Sequence, residues 1–187
     1  MRLAVYDEAY PLDIDECPCD VELVEALDLM AIRGKTLFHF GTGLHHWVGR
    51  SLCNPSSRNM LLAVTANPEE YVAYMDLVSA DAATAELYKV VFCDIYTLSS
   101  NILPLFDLVT LFHLCEMYDP VRNAYAPLDD ASLLALMIGQ TVPNGRLAFY
   151  SGSCAFKKAW PLIEQAESRG AIRQAERYKH LIFYIRV

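Results

Sequence analysis

Residues able to do chemistry gather at a few short stretches of this chain. Gly41-Thr42-Gly43 follows a strand-like run and opens a short helical stretch. Two residues without side chains let backbone N–H groups come close to a ligand. His45 and His46 follow at once. Neighbours on a helix point in different directions, so the pair does not supply two ligands to one metal. One packs, and the other faces a pocket as a base or as an anchor for a ligand carboxylate. Asp94 ends another strand-like run and precedes Ile95, and Phe112-His113 ends a third. A histidine at such a place is either a satisfied core residue or a base at a pocket. Asp13, Asp15, Glu16, Cys17, Cys19 and Asp20 form a dense acidic patch carrying two thiols. Cys-x-Cys with carboxylates has metal-ligand chemistry, but no second spaced Cys/His pair follows to complete a tetrahedral site. A solvated flap with a helix cap is the expected role, with no metal. Gly152-Ser153 lacks the GxSxG elbow and no P-loop lysine occurs, so hydrolase and kinase chemistry fall away.

Periodic apolar residues predict the elements that must hold these groups. Asp20 caps a helix over 20–30, with Leu23, Leu27 and Met30 on one face. A strand over 36–40 leads into the glycine loop, and a second covers 60–64. Asn67, Pro68 and Glu70 then read as N-cap, first helical residue and the far arm of a capping box. A third strand covers 89–93. A fourth, 106–112, is apolar on both faces, as a central parallel strand is. A helix over 130–140, the turn Pro143-Asn144-Gly145, a fifth strand over 146–151 and a helix over 155–168 follow. That last helix buries Phe156, Ala159, Trp160 and Ile163, and 171–187 closes as a hairpin whose last strand is 180–185. Alternating strands and helices imply parallel βαβ units, and the hairpin adds an antiparallel edge. The expected organisation is one α/β domain over 1–187, with a flap and helix over 1–33 and the core over 34–187. Ligands of open α/β sheets bind outside the carboxyl ends of the strands. Gly41, Thr42, Gly43, Thr65, Asn67, Asp94, Ile95, Phe112 and His113 stand there.

The 187 residues carry 15 Lys+Arg against 23 Asp+Glu, a net charge of −8, with 54% hydrophobic and 20% charged residues. This excludes disorder. Scattered cations in an acidic chain argue against nucleic acid, since phosphate binding needs them clustered. A small neutral or cationic ligand is the easier fit. The opening Met1 to Glu8 lacks the apolar run of a signal peptide, and 102–115, which holds Asp107 and His113, is too short to span a bilayer. A cytoplasmic protein without a membrane partner is expected, its six cysteines being thiols. Cys93 and Cys115 read as small buried hydrophobes, and Trp47 and Trp160 as core or interface residues.

The order strand, Gly41-Thr42-Gly43, strand, "TANPEE", "CDIYTL", "FDLVTLFHLCE", "VPNGRLAFYSGS" and terminal hairpin resembles a class I S-adenosylmethionine-dependent methyltransferase, from about residue 34 to 187. The glycine loop and the "PNGRL" turn carry most of the resemblance. It implies a Rossmann-like three-layer sandwich around a mostly parallel seven-stranded sheet with an antiparallel last strand. It also implies that Gly41 and Gly43 pass the methionine portion of S-adenosylmethionine. Asp94 would hydrogen-bond the adenine amino group, with Ile95 against the ring, and Phe112 and His113 would face the substrate. Methyl transfer to a small-molecule acceptor follows, with His46 or His113 as the base. Two positions depart from the family. His39 stands where an acid usually precedes the glycines, and Thr65 where an acid usually holds both ribose hydroxyls. A threonine hydroxyl accepts two such bonds poorly, which leaves Asn67 or a water to compensate. The alternative is a degenerate member of the fold that binds a ligand or protein partner without methyl transfer. A nicotinamide oxidoreductase is disfavoured because the third glycine of GxGxxG falls at His46.

Overall fold

The computed structural model describes residues 5–187; residues 1–4 of the expected flap lie outside the described residues. Two compact units are present, one ending at Asp94 and one running Ile95–Val187. The first contains helix α1 (Cys19–Leu29), strand β1 (Thr36–Phe40), α2 (Trp47–Leu52), β2 (Met60–Thr65), α3 (Pro68–Ala80), α4 (Ala82–Leu87) and β3 (Tyr88–Phe92). The second contains a 3₁₀ turn (Ile95–Thr97), β4 (Phe106–Thr110), α5 (Asp130–Gln140), β5 (Thr141–Tyr150), α6 (Phe156–Ser168), β6 (Ile172–Tyr178) and β7 (Leu181–Arg186). The seven strands run in the order β3-β2-β1-β4-β5-β7-β6. β1, β2 and β3 pair in parallel, as do β4 and β5, while β7 is antiparallel to both β5 and β6. With its flanking helices this is the expected α/β Rossmann-like sandwich.

Burial follows strand position. β1 buries Leu37, Phe38, His39 and Phe40 in succession, so both of its faces are covered, whereas edge strand β3 buries only Tyr88 and Val90. In the second unit β7 buries Leu181 through Tyr184, and Leu133, Met137 and Ile163 add the apolar faces of α5 and α6. Phe156 and Trp160, expected to be buried, are half-buried instead and pack on each other at 5.7 Å between ring centroids. No helix among the described residues is long and apolar enough to cross a membrane.

Four local expectations change. α1 starts at Cys19 behind Pro18 without a side-chain cap, because the Asp20 carboxylate turns inward. The capping box at α3 is half made: Asn67 Oδ1 accepts from the N–H groups of Glu69 and Glu70, but the Glu70 side chain bonds elsewhere. β4 ends at Thr110, so Phe112 and His113 lie in the turn beyond it. Pro143-Asn144-Gly145 falls within β5, where the register jumps from Phe106↔Thr141 to Leu108↔Arg146. Asn144 takes the left-handed conformation there, at φ 62°.

Candidate functional site

In the first unit the chain leaves β1 through two left-handed glycines, Gly41 (φ 86°) and Gly43 (φ 55°), which explains both residue types. Between them Thr42 is buried and donates its hydroxyl to Glu70 Oε2 at 3.0 Å. From the end of β2, Thr65 donates to the same oxygen at 2.6 Å and accepts from the Asn67 N–H at 3.0 Å. Glu70 is only 5% exposed, and the two described hydrogen bonds to its carboxylate both fall on Oε2. The loop, the strand end and the first turn of α3 are thus tied by one carboxylate that sequence order places on none of the strands. Asp94 and Ile95 are fully buried.

His46 sits at the head of α2 with φ 46°, and both its ring nitrogens are engaged. The Glu70 carbonyl only accepts, so Nε2 carries the proton and donates to it at 2.8 Å. Nδ1 therefore accepts from the Tyr88 hydroxyl at 2.8 Å. Burial pulls the imidazole down to about 4, against the opposing bond to Glu70. No lone pair remains for a substrate, which corrects the expectation of a base at His46: it is a satisfied core histidine. Its neighbour His45 has Nε2 3.9 Å from Asp20 Oδ2, and His39 has Nε2 3.5 Å from Asp20 Oδ1. Burial lowers the His45 value, opposed by the Asp20 charge. Asp20 thus brings a carboxylate to the strand whose own residue is His39.

Residues 6–10 cross this end of the unit. The Tyr6 N–H donates to the Ala66 carbonyl at 3.2 Å, Asn67 Nδ2 to the Tyr6 carbonyl at 2.9 Å, and the Leu44 N–H to the Tyr10 carbonyl at 2.8 Å. A Cβ on Gly43 would stand 2.3 Å from His45 Nε2 and 2.9 Å from the Tyr10 carbonyl. The space this glycine opens is taken by the chain itself.

In the second unit Phe112 is buried, with its ring 6.3 Å from that of Tyr150. His113 Nδ1 lies 3.0 Å from Glu116 Oε2, and the Ser153 hydroxyl donates to Glu116 Oε1. Burial works to raise the Glu116 value, but the bonds from His113 and Ser153 outweigh it and the net direction is down. The carboxylate therefore accepts from Nδ1–H. This carboxylate–histidine pair has the form of an oriented general base. Glu70, Asp20 and Glu116 were not singled out as site residues by sequence. Glu70 and Glu116 each lie three residues from one that was, whereas Asp20 is far from all of them in sequence, and only the fold shows which way each faces. A hollow of about 550 Å³ lined by Arg33, Ser57, Arg58 and Glu86 also touches Met60, which is at the amino end of β2 and not where ligands of this sheet type bind.

No family model matches the sequence, and no curated protein does. Solved structures match the fold over nearly the whole chain. Magnesium protoporphyrin IX methyltransferase from Synechocystis PCC 6803, solved with bound S-adenosylmethionine, is 9% identical at a TM-score of 0.60, covering 98% of this chain and 88% of that one. Precorrin-6y C5,15-methyltransferase from Geobacter metallireducens GS-15 is 12% identical at a TM-score of 0.59, covering 98% and 91%. A methyltransferase from Aquifex aeolicus dependent on S-adenosylmethionine is 14% identical at 0.56, covering 94% and 97%. At these identities the agreement is one of fold: the chain has the class I methyltransferase fold.

Proposed function

We propose that this protein binds S-adenosylmethionine and methylates a small-molecule acceptor in the cytoplasm. The carrying observation is the buried Glu70 carboxylate, which accepts two hydroxyl hydrogen bonds between the glycine loop and the end of β2. A carboxylate that takes hydroxyl donors is the chemistry a ribose requires, and Thr65 alone lacked it. The donor set therefore fits the cofactor. Gly41, Thr42 and Gly43 would hold its methionine portion, with Thr65, Asn67 and Glu70 toward the ribose. Asp94 would accept from the adenine amino group, and Ile95 and Phe112 are the other proposed cofactor contacts. When bound, S-adenosylmethionine supplies a methyl group activated on a sulfonium. The chain's own part is to hold the acceptor in line, where orientation supplies most of the rate. His113, whose Nδ1 is held by Glu116, is the proposed base for the acceptor's proton.

A second reading, a binder without methyl transfer, is favoured by one observation. Residues 6–10 are fastened over Ala66 and Leu44, and His45 and Tyr10 fill the space beside Gly43. Calorimetric titration with S-adenosylmethionine and S-adenosylhomocysteine separates the two. Binding that Asp94→Ala abolishes supports the methyltransferase. Silence up to millimolar ligand sinks it.

A further inference from the structure

The acidic patch contains one feature that methyl transfer does not use. Cys17 Sγ and Cys19 Sγ lie 3.3 Å apart. The backbone on either side holds them there: the Cys17 N–H donates to the Asp13 carbonyl at 2.9 Å, and Cys19 is the first residue of α1. Between them Pro18, at φ −74°, restricts the link. Cys17 is half-buried, whereas Cys19 is 3% exposed and points its thiol at Asp20 Oδ1, 3.6 Å away.

We infer that Cys17 and Cys19 are a redox-active dithiol that closes to a disulfide by exchange with a low-molecular-weight disulfide such as oxidised glutathione. The Cys17 thiolate attacks one sulfur of the small disulfide, forming a mixed disulfide and expelling one thiolate. Cys19 gives its proton to the Asp20 carboxylate and attacks Cys17 Sγ, expelling the second thiolate. Both cysteine sulfurs are then oxidised by two electrons in total, and the small disulfide is reduced to two thiols. The sulfurs must approach by roughly 1.3 Å to reach bonding distance. Partition of roles follows exposure: Cys17 meets the reagent and Cys19 resolves it. Hydrogen bonding to Cys17, then burial and the Asp20 charge, hold the Cys19 thiol well above its usual range, so it does not start the exchange. A ring this small is strained, and strained disulfides are the readily reduced, regulatory ones. Closure also removes the thiol donor from Asp20, which faces His39 and His45 beside the glycine loop.

The full chain is equilibrated in graded reduced and oxidised glutathione, quenched in acid, unfolded, alkylated and digested for mass spectrometry. The peptide holding both residues is expected to lose two hydrogens and take no alkyl group, and reduction by dithiothreitol restores both labels. Cys19→Ser should stop at a glutathione adduct on Cys17, and Cys17→Ser should leave Cys19 reduced. Should Cys19→Ser fail to fold, the wild-type chain and Cys17→Ser decide. Wild-type protein that halts at the Cys17 adduct overturns the inference. So do two thiols that remain alkylatable after the exposed Cys154 has reacted, or a stoichiometric metal ion that keeps both reduced until it is chelated.

Discussion

Acidification should remove stability through His46, and the amount follows from its surroundings. Burial holds the folded imidazole at about 4 against 6.5 for an ordinary histidine. In the folded state Nε2 donates to the Glu70 carbonyl and Nδ1 accepts from Tyr88, so a second proton has no acceptor waiting for it. The unfolded chain binds that proton first, and stability present above about pH 6.5 is lost as pH falls toward about 4. At about pH 5 the unfolded ring is roughly thirtyfold more protonated than not, while the folded ring is about one-tenth protonated, which amounts to about 2 kcal/mol. Below about pH 4 the loss approaches about 3 kcal/mol.

Other groups titrate in the same interval. His45 is also lowered, and Glu116 and Glu176 lie below their usual range, so their stabilisation too fades in acid. The test is therefore a difference. His46→Asn removes the titrating ring and keeps a residue type that tolerates φ 46°. Urea unfolding followed by the fluorescence of Trp47 and Trp160 gives each protein's stability at about pH 7.5 and about pH 5. The variant starts lower, by about 1–3 kcal/mol, because Tyr88 and the Glu70 carbonyl lose a partner. The gap between the proteins should narrow by about 2 kcal/mol at about pH 5. A gap unchanged across that interval would refute the account of His46 as a buried neutral imidazole.

Three further substitutions, at two residues, probe the loop end of the first unit. Asn67→Ala should cost about 1–2 kcal/mol in urea unfolding through loss of the α3 cap. Asn67→Asp keeps that acceptor and removes only the Nδ2 donor to the Tyr6 carbonyl, so it should retain most of the stability while limited proteolysis within 5–10 speeds up. Equal protease resistance in both proteins would show that this bond does not hold the strap. Glu70→Gln should change unfolding stability by less than about 1 kcal/mol, because an amide oxygen still accepts from threonine and a buried charge is relieved. Its affinity for S-adenosylhomocysteine should fall at least about tenfold, and unchanged affinity would remove Glu70 from the cofactor site.

The succession of strands and helices along the chain and the terminal hairpin were legible because they rest on local signals. β1 has the bounds its apolar run predicted, and Asn67-Pro68 announced α3 by capping chemistry that needs only neighbours in sequence. α4 was missed because six residues leave too short a pattern to read. The site was legible in place but not in partner. His46 looked available in sequence, and what engages it is the Tyr88 hydroxyl 42 residues away together with the Glu70 carbonyl. Glu70 had a good local role as the far arm of a capping box, and two through-space hydroxyls outcompeted it. Periodicity specifies which residues turn inward. It does not specify which inward polar groups meet.

An ionised carboxylate inside a protein costs several kcal/mol unless its surroundings replace water. At Glu70 the described replacements are neutral, two hydroxyls and no lysine or arginine, so something else must favour the charge. The position of the residue provides it. Glu70 stands in the first turn of α3, with its own N–H and that of Glu69 held by Asn67 Oδ1. The positive end of the helix therefore lies at the carboxylate, and a partly buried acid there gains up to about 2 kcal/mol. A strand end offers no such field. An acid in place of Thr65 would lack this field, whereas an acid five residues later has it. The Glu70 carboxylate is thus supported by its own helix as well as by the two threonine hydroxyls.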